Sequence, residues 1–378
     1  MNINRSKRII VYSYACKTRT NIDVYHRLSR LGWDVLVFTK KDQNFKSTKY
    51  GLVDIKHAYI IFNHPRLQIP LNFLRNIILL RPKYLILEQD ILSLNSLICW
   101  FICCITKSNL VIQTYENIKP LSKIKYTNSL LKKLLFITQD LLLRSFNFIP
   151  KILLTVSIDS FYLFKNYRYK VKLVPLGVNK NHFFKEDLKR DLVIKKLSKD
   201  ISKSMLNKIR DKDYLIYTYV GRLVKEKGVH LLLEAFSELK YKKKILLIDS
   251  FERKSKYTSY LKKLIDKYSL KKNIIFFKSN HYSINLIYNI SDFIVLPSIS
   301  NYKWKEQYGR VPVEASFCEL SPIISDSGHL KDLALSKDIF SLNKNLPSST
   351  EIGINKYTSR MLSTVEMAKN LDLIFNSF

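Results

Sequence analysis

The sequence predicts an α/β fold, with parallel strands alternating with helices through two successive halves. Three observations support this. Short apolar runs recur with helix-like stretches between them along the whole chain. Runs such as Phe293-Ile294-Val295-Leu296 close on Pro297-Ser298, as buried parallel strands do where they end in a loop. A chain of 378 residues with 47% hydrophobic content is also long and apolar enough for two full cores.

In the first half, residues 8–15 read as a strand. Residues 21–31 read as a helix with apolar Ile22, Val24, Leu28 and Leu31. Residues 34–39 form the next strand after the Gly32 stop, residues 53–61 a third, and residues 71–80 a helix that ends before Pro82. From Ile91 to Thr106 no residue is charged. That run falls short of the ~18 apolar residues of a membrane span and contains Ser93, Asn95 and Ser96. Lying between the strand-like residues 84–87 and 110–112, it reads as a buried crossover helix. A long amphipathic helix is expected within residues 125–148, and strands at 152–157 and 172–175 complete the half.

Residues 179–212 are polar and lysine-rich, with the interdomain linker expected at their start. Strands are then expected at 214–220, 245–249, 273–277, 292–296 and 322–325, with helices between. Residues 343–355 read as a loop and 356–378 as a final helix.

Composition restricts the function classes. The five cysteines are an odd number without metal-ligand spacing, and the seven histidines form no cluster. Reduced thiols are expected, with Cys99, Cys103 and Cys104 in a core helix, and with them a cytoplasmic location. Ile9-Ile10-Val11 is too short for the apolar part of an export signal. The formal charge of +33 has three readings: compositional bias, a peripheral surface for anionic lipid, or nucleic-acid binding. The absence of an arginine-rich run or a recognition-helix pattern speaks against nucleic acid.

Two segments carry the chemistry. Tyr214–Val220 runs into Gly221-Arg222-Leu223-Val224-Lys225-Glu226-Lys227-Gly228 and then the apolar helix that starts at Val229. This order of strand, glycine turn with cations, and helix suits an anion, with Arg222 and Lys227 able to clamp a diphosphate. A solvated basic turn is the plainer alternative. No G-x-G-x-x-G and no Walker loop is present. The second segment is Trp304-Lys305-Glu306-Gln307-Tyr308-Gly309-Arg310-Val311-Pro312-Val313-Glu314-Ala315. It places two carboxylates between a strand end and the next helix, where open α/β sheets bind ligands. Eight residues at helical rise span roughly 12 Å, too far for the paired carboxylates of a retaining hydrolase, which lie about 5 Å apart. Such spacing suits two ends of one elongated ligand, such as a nucleotide sugar. Two surface carboxylates on a solvated helix are the alternative. Asp211-Lys212-Asp213 matches a D-x-D metal motif, but its place in a basic stretch before a strand favours chance.

Together GRLVKEKG and WKEQYGRVPVEA resemble family 4 of the retaining glycosyltransferases (glycosyl transferases group 1). Val174-Pro175-Leu176-Gly177-Val178-Asn179 with Phe183, and Ser325-Asp326-Ser327-Gly328, resemble further segments of that family. The resemblance implies the GT-B fold, two Rossmann-like domains with parallel sheets facing an interdomain cleft. It implies an acceptor-binding domain over 1–178, a nucleotide-sugar donor domain over 179–355, and a helix within 356–378 crossing back to the first domain. It assigns Arg222, Lys227 and Glu306 to catalysis, with the two cations on the donor diphosphate and Glu306 facing the transferred sugar. Glu314 would bind the ribose, and Gly221, Gly309 and Arg310 would complete the donor site. Arg19 is a candidate contact to acceptor or sugar. Glu116 is either such a contact or a plain strand-end carboxylate.

The implied activity is hexosyl transfer from a nucleotide-diphosphate sugar to a hydroxyl of a glycan or lipid-linked glycan, with retention and without a metal or other cofactor. Cell-surface polysaccharide or glycolipid synthesis is the implied setting. A catalytically degenerate nucleotide-binding protein on the same fold and a basic nucleic-acid-binding protein are the alternatives. Three departures from the family stand out. Ser13-Tyr14-Ala15-Cys16-Lys17-Thr18-Arg19 lacks the glycine-rich loop, Glu116 occupies a position where relatives carry histidine, and Glu319-Leu320 lacks a helix-ending glycine.

Overall fold

A computed structural model describes residues 7–17, 19–40, 49–62, 64, 66–197, 202–250, 255–278, 283–333 and 361–377. The chain divides into two compact units, one of residues 1–179 with 362–378 and one of residues 180–361.

In the first unit β1 (Arg8–Tyr12), α1 (Arg19–Arg30), β2 (Asp34–Lys40), β3 (Lys49–Tyr50) and β4 (Val53–Ala58) come first. A short ribbon of β5 (Ile60–Ile61) and β6 (Ile69–Pro70) leads to α2 (Leu71–Leu80), β7 (Tyr84–Glu88), α3 (Leu94–Thr106) and β8 (Asn109–Thr114). A 3-10 turn at Pro120–Tyr126 precedes α4 (Leu130–Ser145), β9 (Ile152–Thr155), α5 (Ile158–Asn166), β10 (Val171–Leu173) and β11 (Gly177–Val178). The sheet order is β10-β9-β8-β7-β1-β2-β4-β3, parallel except for the β3–β4 edge. Central β1 lies between β7 and β2, so the strand order reverses there.

Side chains alternate across this sheet, as a two-residue period requires. Ile9, Val11, Val35, Val37 and Ile86 pack on one face with Ile22, Tyr25 and Leu28 of α1. Ile10, Tyr12, Leu36, Phe38 and Leu85 pack on the other with Phe73, Ile77, Cys99 and Cys103. The uncharged run is indeed the crossover helix α3, capped by Ser93, whose hydroxyl accepts from the Ser96 N–H. Cys104, expected in the core, is exposed, since it lies about 100° around the helix from Cys103, which shares the buried face with Cys99 four residues before it. Residues 53–61 are not one strand. The chain leaves the sheet after Ala58, and the Tyr59 N–H donates to Asn72 Oδ1 at 2.9 Å. The amphipathic helix falls within residues 125–148 as expected, and Ser129 caps it at Leu130.

The second unit runs α6 (Arg190–Leu197), α7 (Lys203–Arg210), β12 (Leu215–Gly221), α8 (Val229–Glu238), β13 (Lys244–Ser250), α9 (Lys256–Lys267) and β14 (Ile274–Phe277). It continues with α10 (Ile284–Ile290), β15 (Phe293–Leu296), α11 (Arg310–Phe317), β16 (Ser321–Ile324) and α12 (Leu330–Leu333). Its sheet is all parallel in the order β14-β13-β12-β15-β16, so the reversal falls between β12 and β15. Val229, Leu232, Leu233 and Phe236 of α8 seal one face. Helix α11 ends at Cys318, and Glu319 takes the left-handed conformation (φ 59°) that a glycine would adopt without strain, a cost of about 1 kcal/mol.

The expected loop at 343–355 lies outside the described residues. The final helix starts later than residue 356. Leu362–Ser363 forms β17, paired with β11, and α13 (Thr364–Asn376) follows under a Ser363–Glu366 capping box. Helix α13 belongs to the first unit. Met367, Leu371 and Phe375 enter the core beside α1, Trp33 Nε1 donates to Asp372 Oδ1 at 2.8 Å, and the Tyr84 hydroxyl donates to the Phe375 carbonyl at 2.6 Å.

Candidate functional site

The reversal between β12 and β15 brings two loops together at the carboxyl ends of the strands. Gly228 has φ +66°, and a Cβ there would lie 1.8 Å from the Pro297 carbonyl oxygen. Only glycine permits this approach. The Ile299 N–H donates to the Glu226 carbonyl at 2.7 Å, a second tie between the loops.

Lys227 and Glu306 meet on this scaffold. Lys227 Nζ lies 2.6 Å from Glu306 Oε2 and 5.4 Å from the centre of the Trp304 ring. The Ser298 hydroxyl donates to the same carboxylate oxygen at 2.9 Å. The loop after β16 holds the Glu306 backbone: its N–H donates to Ser327 Oγ at 3.4 Å, and its carbonyl accepts from the His329 N–H at 3.1 Å. Three strand-end loops therefore converge on Glu306, two at its carboxylate and one at its backbone. The side chains of Lys227 and Glu306 are only 16% and 11% exposed. Desolvation offsets much of the attraction in so enclosed a pair, so stability alone gives little reason for it.

Arg222 is exposed, and its carbonyl accepts from the Tyr219 hydroxyl at 2.8 Å. The Tyr219 phenol is within electrostatic range of both Glu306 and Arg222. Burial raises its pKa well above the ordinary value, Glu306 adds to the rise, and Arg222 opposes it.

A second pair lies on α11. Gly309, at φ 75°, precedes the helix, and Arg310 Nε at its first position lies 3.1 Å from Glu314 Oε1. The Tyr288 hydroxyl donates to Glu314 Oε2 at 3.2 Å. Burial raises the Glu314 pKa, while Arg310 and the Tyr288 bond pull it back. Pro312 stands in the first turn of the helix, where a missing N–H costs no helical hydrogen bond. The 12 Å estimate between Glu306 and Glu314 does not apply, because Glu306 precedes the helix and Gly309 turns the chain between them.

Of the candidates from the sequence, Lys227 and Glu306 form one ion pair and Arg310 and Glu314 another. Ser298, Tyr288, Trp304 and Ser327 join them without a role expected from the sequence. Ser298 was visible as the residue closing a strand. Tyr288, in the buried helix α10, had no local signal. Gly221 ends β12 ahead of Arg222.

Glu116 and Arg19 belong to the first unit. Arg19 is the first residue of α1, and its side chain lies outside the described residues. Glu116 follows β8 and is exposed over much of its surface. Nearby protein mass still desolvates its carboxyl and raises the pKa, Asp90 adds to the rise, and Lys123 and Arg66 oppose it. At this unit's own reversal point Glu88 accepts from the hydroxyls of Ser13 and Tyr25, each at 2.5 Å. Asp211 and Asp213 are engaged by Lys243 Nζ at 3.3 and 2.6 Å, which accounts for the D-x-D motif as an ion-pair cluster. Among the described residues no group of three or more His, Cys, Asp or Glu side chains is placed to hold a metal ion. Nor, among them, is any helix long and apolar enough to cross a membrane.

Comparison with known proteins now adds to this geometry. No curated protein sequence matches the chain. In solved structures the chain is similar to HepE of Anabaena in complex with UDP and glucose, at 14% identity and TM-score 0.67, covering 98% of this chain and 100% of that one. It is similar to sucrose-phosphate synthase of Thermosynechococcus elongatus at 15% identity and TM-score 0.60, covering 98% and 97%. A glycosyltransferase of Rickettsia africae is 19% identical with TM-score 0.62, covering 98% and 96%. At such identities these likenesses establish the fold: α/β with parallel sheets, as in GT-B glycosyltransferases. Residues 200–346, most of the second unit and all four residues of the Lys227–Glu306 and Arg310–Glu314 pairs, match the family model of glycosyl transferases group 1, which supports a transferase enzyme.

Proposed function

We propose that the protein transfers a hexose-type sugar from a nucleoside-diphosphate sugar to a hydroxyl of a glycan or lipid-linked glycan. One observation carries the reading: the Lys227–Glu306 pair, held by three loops at the reversal point of the second sheet. Structures similar in fold were solved with UDP, with UDP-glucose and with UDP-2-fluoro glucose, which favours a uridine-type donor.

In the reaction the bond from the sugar C1 to the diphosphate oxygen breaks, and its electron pair leaves on that oxygen. The acceptor hydroxyl oxygen bonds to C1 and passes its proton to the departing diphosphate oxygen. Arg222 and Lys227 meet the charge developing on the diphosphate, each such contact being worth about 3 kcal/mol. These cations supply neutralising charge that needs no bound metal. Glu306 gives up Lys227 to the phosphate and faces the sugar, Glu314 accepts from the ribose hydroxyls, and Gly221, Gly309 and Arg310 complete the donor site. The anomeric configuration is retained. The second unit thus binds donor and the first binds acceptor, with Glu116 and Arg19 as its candidate contacts. The setting is polysaccharide or glycolipid synthesis, and the charge of +33 suits an anionic membrane as a peripheral partner.

The test is release of nucleoside diphosphate from a panel of nucleotide sugars, with and without glycan acceptor. Release that depends on acceptor, and a product with the donor's anomeric configuration by NMR, is expected. A chain that binds nucleotide but never releases diphosphate would reduce the reading to a binding protein.

A further inference from the structure

Helix α4 is amphipathic with its apolar side turned outward. Leu130, Leu131, Leu134, Leu135, Leu141 and Leu142 are exposed, Leu131 by 80%. At about 100° per residue they share an uncharged arc of roughly 140°, while Lys132, Lys133, Asp140 and Arg144 occupy the remainder. Buried Asp140 and Leu143 lie opposite the centre of that arc and anchor the helix: Asp140 accepts from the Tyr167 hydroxyl and pairs with Arg144 at 2.8 Å. A helix on a water-soluble surface places its apolar side inward. This one does the reverse.

Neighbouring segments extend the pattern. In the 3-10 turn Lys123 Nζ lies 6.0 Å from the Phe136 ring and Lys125 Nζ 5.0 Å from that of Tyr126, itself half exposed. Beyond α4, exposed Phe148 packs edge-on against Trp100 of α3 at 5.4 Å, and the outer face of α3 there is Phe101, Cys104 and Ile105, with no charge.

We propose that this face of α4 is the element that docks the protein on an anionic lipid bilayer, lying in the boundary between headgroups and acyl chains. The inference deepens the membrane partner proposed above and rests on that reading. It does not depend on the transferase chemistry. Sixteen helical residues span about 24 Å, short of the ~30 Å hydrocarbon core, so the helix lies on the membrane and does not cross it. Leucines supply the apolar side, and Lys132 and Arg144, at the two margins of the arc, reach the lipid phosphates. Charge selects among occupants. A second copy would set one chain of +33 against another. Nucleic acid would call for aromatic stacking groups where this face has aliphatic ones.

The experiment is flotation of the full chain with vesicles of phosphatidylcholine alone and of phosphatidylcholine mixed with phosphatidylglycerol. Wild type should float only with the mixed vesicles and dissociate as salt rises. L131Q/L135Q, both at exposed positions, should partition about tenfold more weakly or worse, with unchanged thermal unfolding and unchanged transfer to a water-soluble acceptor. A double variant that floats like wild type would overturn the placement on α4 while leaving the membrane partner standing. Wild type that floats with neither vesicle would overturn both. Equal flotation with the two vesicles would remove anionic lipid as the occupant. A dimer in solution that the double variant dissolves, without flotation, would assign the face to a second copy.

Discussion

The two sheets share a topological feature and equip it differently. Each has a central strand, β1 or β12, with the strand order reversing beside it. In the second unit the loops at that point interlock through Gly228, and the carboxylate there is met by a lysine. In the first unit Glu88, at the end of β7, accepts from the hydroxyls of Ser13 in the loop after β1 and Tyr25 in α1, and residues 13–18 contain no glycine. Close backbone approach with a paired cation suits a phosphorylated ligand. Hydroxyl-bearing side chains around a carboxylate suit a ligand rich in hydroxyls. The difference agrees with the proposed division of donor and acceptor between the units.

The comparison breaks most visibly at Lys227. Lys227→Ala should lower kcat about 10²–10³-fold and also cost some stability, since it leaves the enclosed Glu306 carboxylate without its cation. Lys227→Arg should recover only part of that rate, because a planar fork does not reproduce a point charge. Turnover measured by diphosphate release checks both, and a Lys227→Ala enzyme at wild-type rate would remove the diphosphate role. Next in size is Gly228→Ala, which forces a Cβ against a backbone oxygen at positive φ. It should destabilise the second unit by about 3 kcal/mol or more, read as a fall in thermal midpoint.

These two residues show what the sequence made legible. Strand and helix order could be read from apolar periodicity, and residues 71–80 match α2 to the residue because Pro82 and the flanking turn punctuate them. The two motif segments could be read because glycine and cations at a strand end have few structural uses. Their partners could not. Ser298, Ser327 and Tyr288 reach Glu306 and Glu314 only through folding, across separations of 8, 21 and 26 residues with no local periodicity to signal them. The outward apolar face of α4 also escaped notice, since the sequence shows that the helix is amphipathic but not which side faces water. The late start of the last helix depended on the Ser363 capping box, a local signal hidden in a polar stretch.

Glu314 sharpens the comparison through pH. Burial holds its pKa above the ordinary glutamate value. As pH falls through that raised value the carboxylate becomes a neutral acid and a poorer acceptor for ribose hydroxyls, so donor affinity should decline in a range where an ordinary glutamate (pKa about 4.3) is still charged. Stability moves the other way. A raised folded pKa means that the contribution is complete below the unfolded value and is lost as pH rises through the folded one. Glu314→Gln should weaken UDP binding about tenfold at neutral pH and abolish its pH dependence, as calorimetry across pH would show. A variant with wild-type affinity would count against the ribose role.

The smallest effect is expected from the first unit. Glu116 is largely exposed, so Glu116→Gln should leave the fold untouched. Its carboxyl is desolvated and sits near Asp90, Lys123 and Arg66, a mixed-charge setting at the end of β8. A group so placed can lend one hydrogen bond to a hydroxylated ligand, worth about 0.5–1.5 kcal/mol, which corresponds to roughly twofold to thirteenfold in acceptor KM. The same substitution should change UDP affinity by less than about twofold, since nucleotide binding is assigned to the other unit. A large shift in UDP affinity would show that the units do not divide the substrates as proposed. Unchanged acceptor KM would reduce Glu116 to a strand-end carboxylate and leave Glu88, with its two hydroxyl donors, as the residue at which to test the first unit next.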